Sequence, residues 1–194
     1  MTVAVPEHDA WLLRHGATEW SVDGRHTSRT DLPLTEHGRD QAEAVGRALD
    51  GRSFARVLVS PRRRARETCD LSGYGAEAEI TDDLQELDYG EYEGLTTAQI
   101  RETAPGWTIW TGPCPGGETL DQVAARVDRV IAEVRATDGP VALFAHGHVL
   151  RVLTARWCQL DPIEGRRFPL DTGTVSILGY EHGFPGVCRW NAAA

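Results

Sequence analysis

The chain has 194 residues, 41% apolar and 25% charged. That balance excludes disordered and fibrous classes and suits one domain able to bury a core. Acidic residues number 29 against 20 basic ones, a net charge of −9, which argues against bulk nucleic-acid binding, since that needs a basic surface to displace counterions. All 20 basic residues are arginine and none is lysine. Schiff-base catalysis, pyridoxal phosphate attachment and the P-loop lysine are thereby excluded, and any bound anion must be held by arginine, histidine or backbone N–H groups.

Strand and helix signals alternate along the chain. Residues 10–13 form an apolar run that ends at Arg14-His15-Gly16, a strand meeting a loop. Thr35 reads as an N-cap, with Ala42, Val45, Ala48 and Leu49 at helical spacing behind it. Val57-Leu58-Val59 has the pattern of a buried strand. It stops at Ser60-Pro61, where serine suits an N-cap and proline the first helical position, predicting a helix from 61 to about 71. Gly73 and Gly75 interrupt the pattern, and 77–80 is a further short strand. Thr96-Thr97-Ala98-Gln99 carries the capping-box pattern of a short helix. Residues 104–117, rich in Pro, Gly and Trp, read as a long loop. A second capping box, Thr119-Leu120-Asp121-Gln122, opens a long helix with Leu120, Val123, Val127, Val130, Ile131 and Val134 on one face, ended by Gly139-Pro140. Val141–Ala145 reads as a central strand ending at His146-Gly147-His148, 149–158 as helix, and 175–178 and 187–190 as late strands. Such alternation predicts an α/β fold with a mostly parallel central sheet. No repeat or linker divides the chain, so a single domain over 1–194 is expected.

Cys69, Cys114, Cys158 and Cys188 are scattered, with no C-x-x-C pair. A chain of this size does not need disulfide staples, so reduced thiols are expected. The N-terminal MTVAVPEHDA lacks a basic n-region and is not read as a signal peptide. No apolar run approaches a membrane span. A cytoplasmic protein without a membrane partner is the expectation.

Sites in open α/β sheets form beyond the carboxyl ends of strands. Three such ends carry unusual residues: Arg14-His15-Gly16; Ser60-Pro61 with Arg62, Arg63, Arg64 and Arg66 in the first helical turns; and His146-Gly147-His148. Two histidines and several arginines could thus converge beside helix N-termini, which attract anions. A dianionic phosphate is the natural ligand. Each piece has a plainer reading, a capped or core histidine and a solvated arginine face, and it is their coincidence on one edge that favours a site. His146 and His148 straddle a strand end and have no evident third ligand, so no metal and no cofactor are expected.

Leu13-Arg14-His15-Gly16-Ala17-Thr18-Glu19-Trp20 resembles the signature of the histidine phosphatase superfamily, the phosphoglycerate mutase-like family. Asp31-Leu32-Pro33-Leu34-Thr35 with Gly38 and Gln41-Ala42, then Ser60-Pro61-Arg62-Arg63-Arg64-Ala65, Leu84-Gln85-Glu86 with Tyr89-Gly90 and Tyr92-Glu93-Gly94, and Phe144-Ala145-His146-Gly147-His148 resemble its later segments in order. The resemblance implies a three-layer α/β/α sandwich and a phosphohistidine mechanism. His15 would attack phosphorus with a neutral ring nitrogen while a backbone carbonyl holds the other. Arg14, Arg64 and His146 would surround the transferring group, whose charge spreads in the transition state. Arginine suits this because its fork binds two oxygens and stays charged. Glu86 matches the family's general acid. A carboxyl beside a bound dianion is favoured in its protonated form, and once ionised it can activate water.

Ser21 and Thr27 match positions that touch phosphate or substrate in relatives, although Ser21 stands where many have Asn and Ser28 where many have Gly. His148 could line the pocket or only cap the following helix. His26, Tyr89 and Trp110 would shape the substrate side. Arg62 and Arg63 read as surface or supporting groups.

Three functions fit: a phosphatase of small phosphorylated metabolites such as sugar phosphates, a cofactor-dependent phosphoglycerate mutase, and a non-catalytic phosphate binder. The mutase is disfavoured by the short chain and the missing lysine, the binder by the presence of Glu86 beside both histidines. Sedoheptulose-bisphosphatase-like and acid-phosphatase-like members are the branch most resembled. Specificity would come from Thr27, Ser28 and the 107–117 loop. The sequence leaves a homodimer open.

Overall fold

A computed structural model describes residues 9–194. Residues 1–8, which hold most of the N-terminal segment read above for a targeting signal, lie outside the described residues. Strands β1 (Ala10–Arg14), β2 (Arg56–Val59), β3 (Ala78–Ile80), β4 (Val141–Ala145), β5 (Thr174–Glu181) and β6 (Phe184–Ala193) form one sheet in the order β3-β2-β4-β1-β5-β6. The pairs β3/β2, β2/β4 and β4/β1 are parallel, and β1/β5 and β5/β6 are antiparallel. The mostly parallel sheet expected from the sequence is therefore present.

Helices cover both faces. They are α1 (Glu19–Val22), α2 (Glu36–Leu49), α3 (Arg63–Leu71), α4 (Thr97–Thr103), α5 (Leu120–Ala136) and α6 (Gly147–Trp157). Successive strand residues point to opposite faces. Leu12, Leu58, Leu143 and Ala145 accordingly pack with Val127, Val130 and Leu150 of α5 and α6. Trp11, Leu13, Val57, Val59 and Phe144 pack with Val45, Leu49, Ala65 and Cys69 of α2 and α3. Every residue of β4 is buried, as befits its place at the centre. Truncating a side chain there, such as Leu143, costs about 2–5 kcal/mol in the general case.

The capping signals act as read. Thr119 Oγ1 accepts the Gln122 N–H at 3.2 Å while Gln122 Oε1 accepts the Thr119 N–H at 2.9 Å, and Thr96 and Gln99 repeat the exchange on α4. Thr35 Oγ1 accepts the Gly38 N–H at 3.0 Å at the start of α2.

Several local expectations are corrected. Helix α3 starts at Arg63 with Arg62 as its N-cap, not at Pro61 behind Ser60; the Ser60 hydroxyl lies 2.7 Å from His146 and reaches the Arg62 N–H only at 3.4 Å. Helix α5 ends at Ala136, before Gly139. Ala48 is exposed, although Ala42, Val45 and Leu49 are buried. The late strands are longer than read and form a hairpin; exposed β6 carries Arg189 and Asn191, which dilute its apolar signal. The single-turn α1 has no apolar periodicity and was not expected.

The loop after β1 sits hard against α2. A Cβ on Gly16 would lie 2.1 Å from the Gly38 carbonyl oxygen, and one on Gly38 would lie 2.1 Å from the Ala17 carbonyl oxygen. Only paired glycines permit this backbone approach, which fixes the residue beside Gly16, His15.

Candidate active site

Adjacent parallel strands deliver their ends to one edge: Ser60 follows β2, His146 follows β4 and His15 follows β1. The ladder continues one step past each outer strand, with Ser60 N–H donating to the Phe144 carbonyl and His15 N–H to the Ala145 carbonyl, both at 3.0 Å. Chain reversal after each strand then turns the side chains toward one another.

His15 is 5% exposed. Its Nδ1 lies 2.8 Å from the Gly16 carbonyl oxygen. A carbonyl only accepts, so Nδ1 carries the proton, and in the neutral ring Nε2 keeps its lone pair. Burial, reinforced by Arg64 and Arg14, pushes the imidazole well below its ordinary basicity, so that ring is neutral at pH 7.

His146 is wholly buried, its ring centroid 5.1 Å from that of His15. Arg64 Nε donates to its Nδ1 at 3.1 Å, so the proton sits on Nε2 and goes to Ser60 Oγ at 2.7 Å. Both ring nitrogens are thus engaged by protein, which leaves neither for a metal. Arg64 is also fully buried. Its remaining nitrogens donate to the carbonyls of Thr30 at 3.2 Å, Thr27 at 3.1 Å and Ser28 at 3.3 Å. It organises the loop over the site.

Arg14 donates from one terminal nitrogen to the Leu170 carbonyl, while its Nε–H is buried without a partner. A buried, unpaired guanidinium N–H is costly and is one hydrogen bond short of satisfaction. Burial holds Arg14 below its ordinary basicity against the pull of Glu86.

Glu86 Oε1 accepts the N–H groups of Leu87 and Val149, both at 2.9 Å, and Oε2 accepts that of His148 at 3.0 Å. The carboxylate therefore caps the N-terminus of α6. At α3, Asp31 Oδ1 accepts the Arg63 N–H at 2.7 Å. Acidic side chains of the protein thus occupy the His148 and Val149 amides of α6 and the Arg63 amide of α3, while Gly147, the first residue of α6, lies on the cavity wall.

Arg14, His15, Glu86, Tyr89 and His148 line one cavity of about 180 Å³, which Ser21 and Thr27 also border. Arg64 and His146 stand one layer deeper and do not line it. Ser21 exchanges hydrogen bonds with Thr18 in a capping box at α1, and Thr27 Oγ1 donates to the Arg25 carbonyl at 3.1 Å. Tyr89 and His148 share a 2.6 Å hydrogen bond. Burial, then Glu86, raises the Tyr89 phenol well above its usual value, and burial, then Arg151, lowers His148 well below its own.

A family model described as the histidine phosphatase superfamily, branch 1, matches residues 10–193. The chain belongs to that superfamily. It is 44% identical to an acid phosphatase of Mycobacterium tuberculosis over 93% of this chain and 91% of the relative. It is 36% identical to a sedoheptulose 1,7-bisphosphatase of Saccharomyces cerevisiae over 77% of this chain and 67% of the relative. The solved structure of an open reading frame product from Mycobacterium tuberculosis superposes with a TM-score of 0.91 at 42% identity, covering 96% of this chain and 98% of that one. Like its phosphatase relatives, this histidine phosphatase is an enzyme.

Around the shared site, Ser28 departs from the expectation of a specificity residue. It lies off the cavity, with its N–H on Glu93 at 2.9 Å and its hydroxyl on the Glu86 carbonyl at 3.2 Å, and so pins the Glu86 segment. The 107–117 loop does not line the cavity; Trp107 and Trp110 back its wall, Trp107 5.3 Å from the His26 ring and Trp110 5.4 Å from the His148 ring. Arg126, buried and bidentate on Glu118, steadies the same region, because Glu118 also accepts the Asp88 N–H. Sequence reasoning passed over Ser60 as a partner for His146, and Thr18 and Arg151 as residues of the cavity wall. For Arg151 a signal existed: it lies three residues beyond His148 and so on the same helix face.

Proposed function

We propose that this enzyme is a metal-independent, cytoplasmic phosphomonoesterase of small phosphorylated metabolites, acting through a phosphohistidine on His15. One observation carries the reading: Nδ1 of His15 is held by the Gly16 carbonyl, so a proton-free Nε2 belongs to a ring on the wall of the cavity that also holds Arg14 and Glu86.

Nε2 of His15 attacks phosphorus, forming the N–P bond as the ester P–O bond breaks. The leaving oxygen takes the proton of Glu86. Water then attacks phosphorus, gives its proton to the Glu86 carboxylate and releases His15, leaving an alcohol and phosphate. The unpaired Arg14 Nε–H supplies a donor for a phosphoryl oxygen, and fixed donors of this kind stabilise charge on the transferring group. Arg64, held by the neutral His146, stands behind His15 and adds positive field to it. Tyr89, His148, Ser21 and Thr27 face the leaving group.

Sugar phosphates are the favoured substrates. The named activities of the acid phosphatase and bisphosphatase relatives support this, as does a small polar cavity whose imidazoles are neutral. A net charge of −9 disfavours polyanions at long range. Free thiols at Cys69, Cys114, Cys158 and Cys188 support a reducing compartment. The test is phosphate release from sugar phosphates, glycerates and nucleotides by wild type and His15→Ala. Release lost in the variant is expected; isomerisation of phosphoglycerate without release would favour the mutase instead.

A further inference from the structure

Arg151 has no part in the chemistry described above. It projects from α6 into the wall of the catalytic cavity. Its Nε donates to the Gly165 carbonyl at 3.1 Å and one terminal nitrogen to the Arg166 carbonyl at 3.3 Å. Its guanidinium carbon sits over Trp110, 4.5 Å from the ring centroid. The other terminal nitrogen has no protein partner among the described residues, and no carboxylate lies within ion-pair distance of the group.

This marks Arg151 out from the arginines that lie on the surface. Arg56, Arg129 and Arg156, for example, each grip a carboxylate. Like Arg14 and Arg64, Arg151 has a guanidinium that burial pushes below its ordinary basicity, that makes no ion pair with a carboxylate and that Glu86 pulls only partly back. A half-buried cation with no carboxylate in contact is suited to an anionic partner. Arg14 has a place at the transferring phosphate, and Arg64 stands behind His15 with His146. Arg151 shares the cavity with Arg14 but sits three residues beyond His148 on α6, held against Trp110. Two carbonyls and Trp110 fix the guanidinium from the far side, which leaves its open nitrogen for a ligand in the cavity.

We propose that Arg151 binds a second anionic group of the substrate, a carboxylate or a second phosphate, on the leaving-group side of His148. The inference rests on the phosphatase reading and narrows its substrate class from phosphomonoesters in general to those with two anionic groups. The neutral imidazoles of His148 and His26 line the same cavity and are suited to the hydroxyls that connect the anions.

The test compares matched pairs in wild type, Arg151→Met and Arg151→Lys. A hexose bisphosphate is set against its monophosphate, and 3-phosphoglycerate against glycerol 3-phosphate. The first pair reads the second phosphate and the second pair the carboxylate. In wild type the doubly anionic member of at least one pair should have the higher kcat/KM. Arg151→Met, which keeps an apolar stem against Trp110, should lower that preference about tenfold or more through KM, as expected for loss of a charge-assisted hydrogen bond. Arg151→Lys should restore part of it. Equal loss on both members of each pair would assign Arg151 a purely structural role and overturn the proposal. If Arg151→Met does not fold, the wild-type preference alone decides, and its absence in both pairs overturns the proposal. Failure of wild type to release phosphate from any substrate would instead overturn the phosphatase reading.

Discussion

The hydroxyl of Ser60 lies 2.7 Å from Nε2 of His146, although 86 residues separate them in sequence. Because Arg64 already donates to Nδ1, Ser60 is the acceptor that fixes the His146 tautomer. Ser60→Ala leaves a buried N–H without an acceptor, at a cost of about 1–3 kcal/mol. A lower urea midpoint together with a lower kcat is expected. An unchanged kcat at full stability would show that the tautomer of His146 does not matter.

Glu86→Gln separates two jobs. The amide keeps an oxygen for Leu87 and Val149 but sets an NH₂ against the His148 N–H. It can neither give nor take a proton. Loss of general acid–base catalysis lowers kcat by about 10²–10⁴-fold on sugar phosphates. With p-nitrophenyl phosphate, whose leaving group departs unaided, phosphoenzyme should accumulate because water is no longer activated. A burst of nitrophenol followed by slow turnover checks this, and steady turnover at the wild-type rate would remove Glu86 from the mechanism.

The site also sets a pH dependence of stability. Burial holds His15, His26, His146 and His148 below the ordinary value of 6.5, His26 at about 4. Each binds its proton more weakly folded than unfolded. Below 6.5 the unfolded chain takes up protons that the folded chain refuses. This contribution is therefore complete above 6.5 and is lost as the pH falls, for His26 down to its folded value of about 4. Denaturant midpoints should drop between about pH 7.5 and pH 5, and less steeply in His26→Asn. A midpoint that rises on acidification would contradict these protonation states.

Much of this was legible in local sequence, because its causes are local. The Thr119–Gln122 exchange and the apolar face from Val123 to Val134 lie within a few turns of chain, and the strand β4 announces itself by unbroken apolarity. The arginine and histidine motifs at three strand ends pointed to one edge, and the topology brings them there. The missed features are long-range bargains between groups distant in sequence. Ser60 is turned to His146, on a strand end far along the chain. Two of the α6 amides are taken by Glu86, from another segment. Arg151 looked like any exposed helical arginine until Trp110 and the 165–166 carbonyls came to hold it.

The central claim is that His15 carries the phosphoryl group. It is tested most directly by acid- and alkali-controlled quenching during turnover of a ³²P-labelled monoester, followed by peptide mapping. The geometry predicts label that is stable in alkali and lost in acid, located on His15 and absent from His15→Ala. Because burial holds the ring well below its ordinary basicity, label should still form as the pH falls below that at which a free imidazole protonates. Label on any other residue, or undiminished turnover by His15→Ala, would contradict the mechanism.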